Sequence, residues 1–125
     1  MKNIESFESA AQHLGIDPTK LPDVSMLPEA SQKAVVAFYK ISIISQASWD
    51  GITIDWYNWD QRKYYPWFDM SADKVGSSSG FSYDDCLYDV TPSFVGSRLV
   101  YPSSEVAKYV GKNHIELYRD LMVID

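Results

Sequence analysis

The sequence predicts an α+β fold: two N-terminal helices, a small antiparallel sheet of three to four strands, and a C-terminal helix packed on that sheet. Apolar residues recur at helical spacing near both ends of the chain, from Phe7 to Leu14 and from Ala107 to Leu121. Ile52, Ile54 and Trp56 alternate with Thr53, Asp55 and Tyr57 in the middle, and stretches rich in Pro, Gly and Ser separate these blocks. Helices at both ends with strands between them bury their apolar faces as a layered α+β arrangement. The 125 residues are the length of one domain, 1–125, and a domain of this size buries about two-thirds of its unfolded surface.

Phe7, Ala10, Ala11 and Leu14 make the first helix, with Ser6 at the N-cap position and Gly15 where a left-handed C-cap belongs. Asp17-Pro18 and Leu21-Pro22 then forbid helix, because proline lacks an N–H and pushes the preceding residue toward extended backbone. Residues 16 to 26 therefore read as an ordered loop with Leu21, Val24 and Met26 pinned to the body. Pro28 and Glu29 suit the first turn of a second helix. Only Lys33, Lys40 and Gln46 interrupt the apolar and small residues that follow as far as Ser48, which predicts a mostly buried helix. The β-branched Ile41, Ile43 and Ile44 offer a rival strand, against which stands the length of the run without Gly or Pro.

Ile52 to Tyr57 has the period of a half-buried strand, Asn58 to Arg62 reads as a turn, and Lys63 to Met70 as the next strand. Pro66 cannot donate to a ladder, so this strand lies at an edge or is interrupted there. Gly76 to Gly80 reads as a loop tip joining antiparallel strands. Beyond it Phe81 and Tyr83 share one parity while Cys86, Tyr88 and Val90 share the other, and a bulge near Asp84-Asp85 would restore a single buried face. Gly96 precedes a short strand, Arg98 to Tyr101, and Pro102-Ser103-Ser104-Glu105 opens the last helix. Its apolar stripe is Ala107, Val110, His114, Leu117 and Leu121, opposite Lys108, Lys112, Glu116 and Arg119. Residues 34–47 and 106–121 are expected to supply much of the core.

Net charge is −6, and residues 1 to 60 carry four lysines against eight acids. Nonspecific nucleic-acid affinity comes from Lys and Arg neutralising phosphates, so an acidic chain without a basic run is a poor nucleic-acid binder, and anionic membranes are opposed on the same ground. Cys86 is the sole cysteine, which precludes an intrachain disulfide and a multi-cysteine metal site. Met1 to Phe7 lacks the apolar stretch of a secretory signal and no run reaches membrane-spanning length, so a cytoplasmic protein is expected.

Candidates for chemistry are few, and no cofactor is expected. His114 on the apolar stripe and His13 at a helix end occupy structural positions, and with one cysteine they make no zinc cluster. Asp84, Asp85 and Asp89 lack the alternating ligands and closing glutamate of a calcium loop, and Gly76 to Gly80 lacks the lysine of a phosphate loop. Asp50, Asp55 and Asp60 beside the tryptophans could flank a glycosidic bond, which leaves a small hydrolase resting on Asp55 and Asp60 as the last-ranked function.

The segment from Trp49 to Phe68 is the most informative. It crowds Trp49, Trp56, Tyr57, Trp59, Tyr64, Tyr65, Trp67 and Phe68 among Asp50, Asp55, Asp60, Arg62 and Lys63. Rings carry the largest apolar areas while indole and phenol tips need hydrogen-bond partners, so the cluster is either the heart of the domain or a recognition surface. It holds more ring area than one small core absorbs. Trp56, Trp59, Arg62, Tyr64 and Trp67 are the candidates for an interaction surface.

The strings Trp-Asp-Gly-Ile-Thr-Ile-Asp-Trp at 49–56, Lys-Tyr-Tyr-Pro-Trp-Phe at 63–68, Gly-Ser-Arg-Leu-Val-Tyr at 96–101 and Leu-Tyr-Arg-Asp-Leu at 117–121 resemble a group of small proteins encoded by phages and prophages of gut Bacteroidetes. The resemblance spans most of the chain, departs near Cys86, implies a mobile-element origin in a bacterial cytoplasm, and assigns no residue a role. The expected function is that of a non-enzymatic accessory protein acting through a protein partner or through self-association as a homo-oligomer, with the aromatic strands as interface. The competing expectation is a ligand-binding module, carbohydrate ahead of single-stranded nucleic acid, because ring stacking serves both and acidity penalises only the second.

Overall fold

Ser6 starts the first helix as its position predicts. The computed structural model describes residues 1–70, 81–90 and 93–124, and in it α1 (Phe7–His13) is closed by a reciprocal capping box between Ser6 and Ser9. A single 3-10 turn, Lys2–Ile4, precedes it, and Gly15 follows with φ 72°. Helix α2 (Glu29–Trp49) runs unbroken through Ile41–Ser45, since a helix satisfies its backbone from within while a strand there would need a neighbour. The loop between them departs from expectation. Met26 is 95% exposed and Leu21 is exposed, leaving only Val24 half-buried, because Asp17 and Asp23 accept the Thr19 and Ser25 N–H groups and close local turns that need no apolar anchor.

Two antiparallel strands form the sheet: β1 (Lys63–Asp69) and β2 (Ser82–Asp89). Tyr64 faces Tyr88, Pro66 faces Cys86, Trp67 faces Asp85 and Phe68 faces Tyr83. Asp84 is thus the extra residue of a bulge, and it brings Tyr83, Cys86 and Tyr88 onto one face, where the parity switch places it. Gly76 to Gly80 lies outside the described residues.

The expected three to four strands reduce to two among the described residues, for identifiable reasons. Residues 52–56 are not a strand: the Gln61 side chain accepts from Asp55 N–H (2.7 Å) and donates to the Thr53 carbonyl (2.9 Å), taking the place a partner strand would fill. Arg98 to Tyr101 contributes a single bridge, in which Tyr64 and Tyr101 exchange both backbone bonds. Along a strand, alternate N–H groups point the same way, so the next group on that edge belongs to Pro66, which has none. Pairing stops there.

The C-terminal helix is two helices, α3 (Ser104–Asn113) and α4 (Ile115–Met122), broken at His114 with φ −112° and ψ 30°. Long-range bonds account for the break: His114 Nε2 lies 2.8 Å from the Ile4 carbonyl, and Asn113 Nδ2 donates to the Glu5 carbonyl (2.8 Å). Helix α3 then packs on the sheet and α4 on α2. At the closest approach a Cβ on Gly111 would stand 2.8 Å from Pro66 Cβ and from Tyr83 Cδ1, which only glycine avoids. The core joins Phe7, Ala10 and Ala11 to Ile41, Ile44 and Ala47, and reaches Phe68, Phe81, Tyr101, Ala107, Val110 and Tyr118. Within it Phe68 stacks 4.8 Å from Phe81 and lies tilted 4.7 Å from Tyr118. No helix among the described residues is long and apolar enough to cross a membrane.

Candidate functional site

Strand alternation sends Tyr64, Pro66 and Phe68 inward and Lys63, Tyr65 and Trp67 to the outer face of β1, opposite Asp89, Leu87 and Asp85 of β2. Lys63 is nonetheless buried. Its Nζ donates to the carbonyls of Asp55 (2.7 Å), Asn58 (3.1 Å) and Val90 (3.2 Å), and it lies 4.9 Å from the centre of the Trp56 ring. Three N–H donors meet three carbonyls, so a charge that would otherwise be costly to bury is fully bonded. Burial still pushes the ammonium below its ordinary range, against the pull of the Asp55 carboxylate.

This lysine anchors the 55–58 turn over one end of the outer face. Asp55 Oδ1 accepts from Tyr57 N–H and Asn58 Oδ1 from Asp60 N–H, so the segment is folded by its own side chains. Tyr57 is 95% exposed and Trp59 69% exposed. Trp67, about 13 Å along the strand from Lys63, is 53% exposed.

The five residues singled out in the sequence divide accordingly. Trp56 is half-buried and donates to Ser97 Oγ (2.6 Å), and Tyr64 is half-buried against the core and bridged to Tyr101. Both serve the fold. Trp59 and Trp67 stand in solvent, and exposed Arg62 lies 4.6 Å over the Tyr88 ring. Sequence reasoning missed Leu87 and Tyr88, both exposed; Leu87 joins the outer face only through its register opposite Tyr65, which no local signal carries.

The acidic groups near the tryptophans differ in what they meet. Asp50 bonds His13 Nε2 at 2.8 Å, Asp55 is engaged in its turn, and Asp89 is buried with Oδ2 accepting from Phe94 N–H (2.8 Å) and Ser93 Oγ (3.2 Å). Asp60, Asp84 and Asp85 are exposed, and among the described residues no group of three or more His, Cys, Asp or Glu could hold a metal ion. Comparison with protein-family profiles, with curated proteins and with solved structures returns no match.

Proposed function

We propose that the protein is a non-enzymatic accessory protein of a phage or other mobile element, acting by holding another protein against the outer face of its hairpin. One observation carries this reading: within a single aromatic segment, Trp49 and Trp56 give their indole N–H groups to partners in the chain, whereas Trp59 and Trp67 are left in solvent, as are Leu87 and Tyr57. Exposed indoles grouped with aliphatic surface are the chemistry of interface centres, where truncating one aromatic anchor costs about 2 kcal/mol or more. Asp85 stands opposite Trp67 with Asp84 next to it in the chain, and Asp60 is exposed next to Trp59, so a partner offering Lys or Arg around an apolar centre is complementary. A second copy would instead oppose like charges. The mobile-element origin rests on the resemblance of the strings at 49–56, 63–68 and 96–121.

Selection of a random peptide library on the native chain tests the reading. Enriched peptides are expected to combine aromatic or aliphatic residues with Lys and Arg, and to bind Trp67→Ala about thirtyfold more weakly. Enrichment indifferent to both Trp59→Ala and Trp67→Ala would sink it. A dimer seen by light scattering and lost in Trp67→Ala would place a second copy on the face instead, and quenching of these indoles by oligosaccharides alone would make it a sugar platform.

A further inference from the structure

A second site lies away from the hairpin. A cleft of about 660 Å³ opens between the C-terminal half of α2 and the 51–54 segment, with Leu14, Trp49, Ile52, Ile54, Ser97 and Arg98 among its lining. That volume is in the range of small-molecule sites. Its walls come from four stretches of chain, and hydrogen bonds tie them together. Trp49 Nε1 donates to the Val100 carbonyl (2.9 Å), Trp56 Nε1 donates to Ser97 Oγ (2.6 Å), and His13 meets Asp50 (2.8 Å) where the end of α1 approaches the C-cap of α2. A cleft cross-braced in this way is formed before any ligand arrives, which lowers the ordering cost of binding.

The lining chemistry is specific. Leu14, Ile52 and Ile54 present aliphatic surface, and Ile52 stays exposed within the concavity. Arg98 is the sole charged residue of the lining; it is exposed and makes no ion pair among the described residues. Ser97 Oγ accepts from Trp56, which leaves its own O–H to donate. A planar guanidinium and a hydroxyl beside an aliphatic wall match a carboxylate carried on an apolar body.

We infer that this cleft binds a small amphipathic monocarboxylate, with the carboxylate on Arg98 and Ser97 and the apolar body on Leu14, Ile52 and Ile54. A dianionic phosphate ester fits less well, because one arginine answers one negative charge while the carbonyl end of α2 and Asp50 stand beside the cleft. An uncharged sugar would leave the guanidinium unanswered.

Titration with 4-phenylbutyrate, followed through the indole N–H resonances of Trp49 and Trp56 and the Arg98 Nε–H, tests the assignment. Saturable shifts with a midpoint of about 1 mM are expected for a ligand of this size. The neutral analogue 4-phenylbutanol is expected to bind about tenfold more weakly, and Arg98→Gln to weaken the carboxylate about tenfold while the spectrum stays otherwise native. No saturable shift, equal binding of acid and alcohol, or binding untouched by Arg98→Gln would each overturn it. Trp59→Ala and Trp67→Ala are expected to leave the midpoint unchanged, so this result stands apart from the protein-binding face.

Discussion

His114 shows how much one side chain decides. A carbonyl can only accept, so Nε2 carries the hydrogen that bonds Ile4, and the ring is held neutral in a buried place. Burial lowers its pKa from an ordinary 6.5, outweighing the Ile4 bond and the Glu8 carboxylate, which pull the other way. The unfolded chain therefore takes up a proton that the native chain refuses, and stability is complete above about pH 6.5 and falls as pH drops from there toward the native pKa. In urea titrations at several pH values, the native chain is expected to lose its advantage over His114→Gln as pH falls from 7.5 to about 5. Parallel curves for the two proteins would contradict this. Neither this role nor that of Lys63 is legible in the sequence: the apolar stripe places His114 in the core, but the Ile4 carbonyl is 110 residues away, and Lys63 meets Val90 from 27 residues off.

Elements follow local rules until a neighbour overrides them. The N-cap of α1 at Ser6, the course of α2 and the bulge at Asp84 all lie where spacing and parity place them, since each is set by residues within a few positions of one another. The strand expected at 52–56 has the right alternation and no partner, and a glutamine amide takes the partner's bonds. Alternation is a statement about faces and not about pairing, which is why it misleads there. Where α3 crosses the sheet, contact is set by Gly111. Gly111→Ala is expected to cost about 1–3 kcal/mol, because the added carbon meets Pro66 and the Tyr83 ring rather than open space. A lower urea midpoint at unchanged slope would show it, and an unchanged midpoint would mean that the Tyr83 ring moves aside freely.

Across the whole molecule, the charge and the aromatic excess act together. On the proposed function, a chain of net charge −6 that exposes Trp59 and Trp67 as well as Asp60, Asp84 and Asp85 would favour a basic partner over a second copy of itself. Binding of the basic peptides selected on this face is therefore expected to weaken several-fold between about 50 and 500 mM salt, as the exposed pairs are screened over a shortening Debye length. Affinity measured by fluorescence at several salt concentrations checks this, and salt-independent binding would assign the recognition to the rings alone.

The sequence by itself determined the α+β class, the helix starts, the strand that Pro66 keeps at an edge and the need for a bulge, because capping, proline chemistry and side-chain parity act within one or two turns of chain. Tertiary structure alone decided that the last helix breaks at His114, that a third strand stops after the Tyr64–Tyr101 bridge, and that Trp49 is 4% exposed while Trp59 and Trp67 lie in solvent. Each of these depends on which distant carbonyl, hydroxyl or cavity a side chain meets once the chain has closed on itself. An indole that finds the Val100 carbonyl is drawn inside; one that finds none stays out.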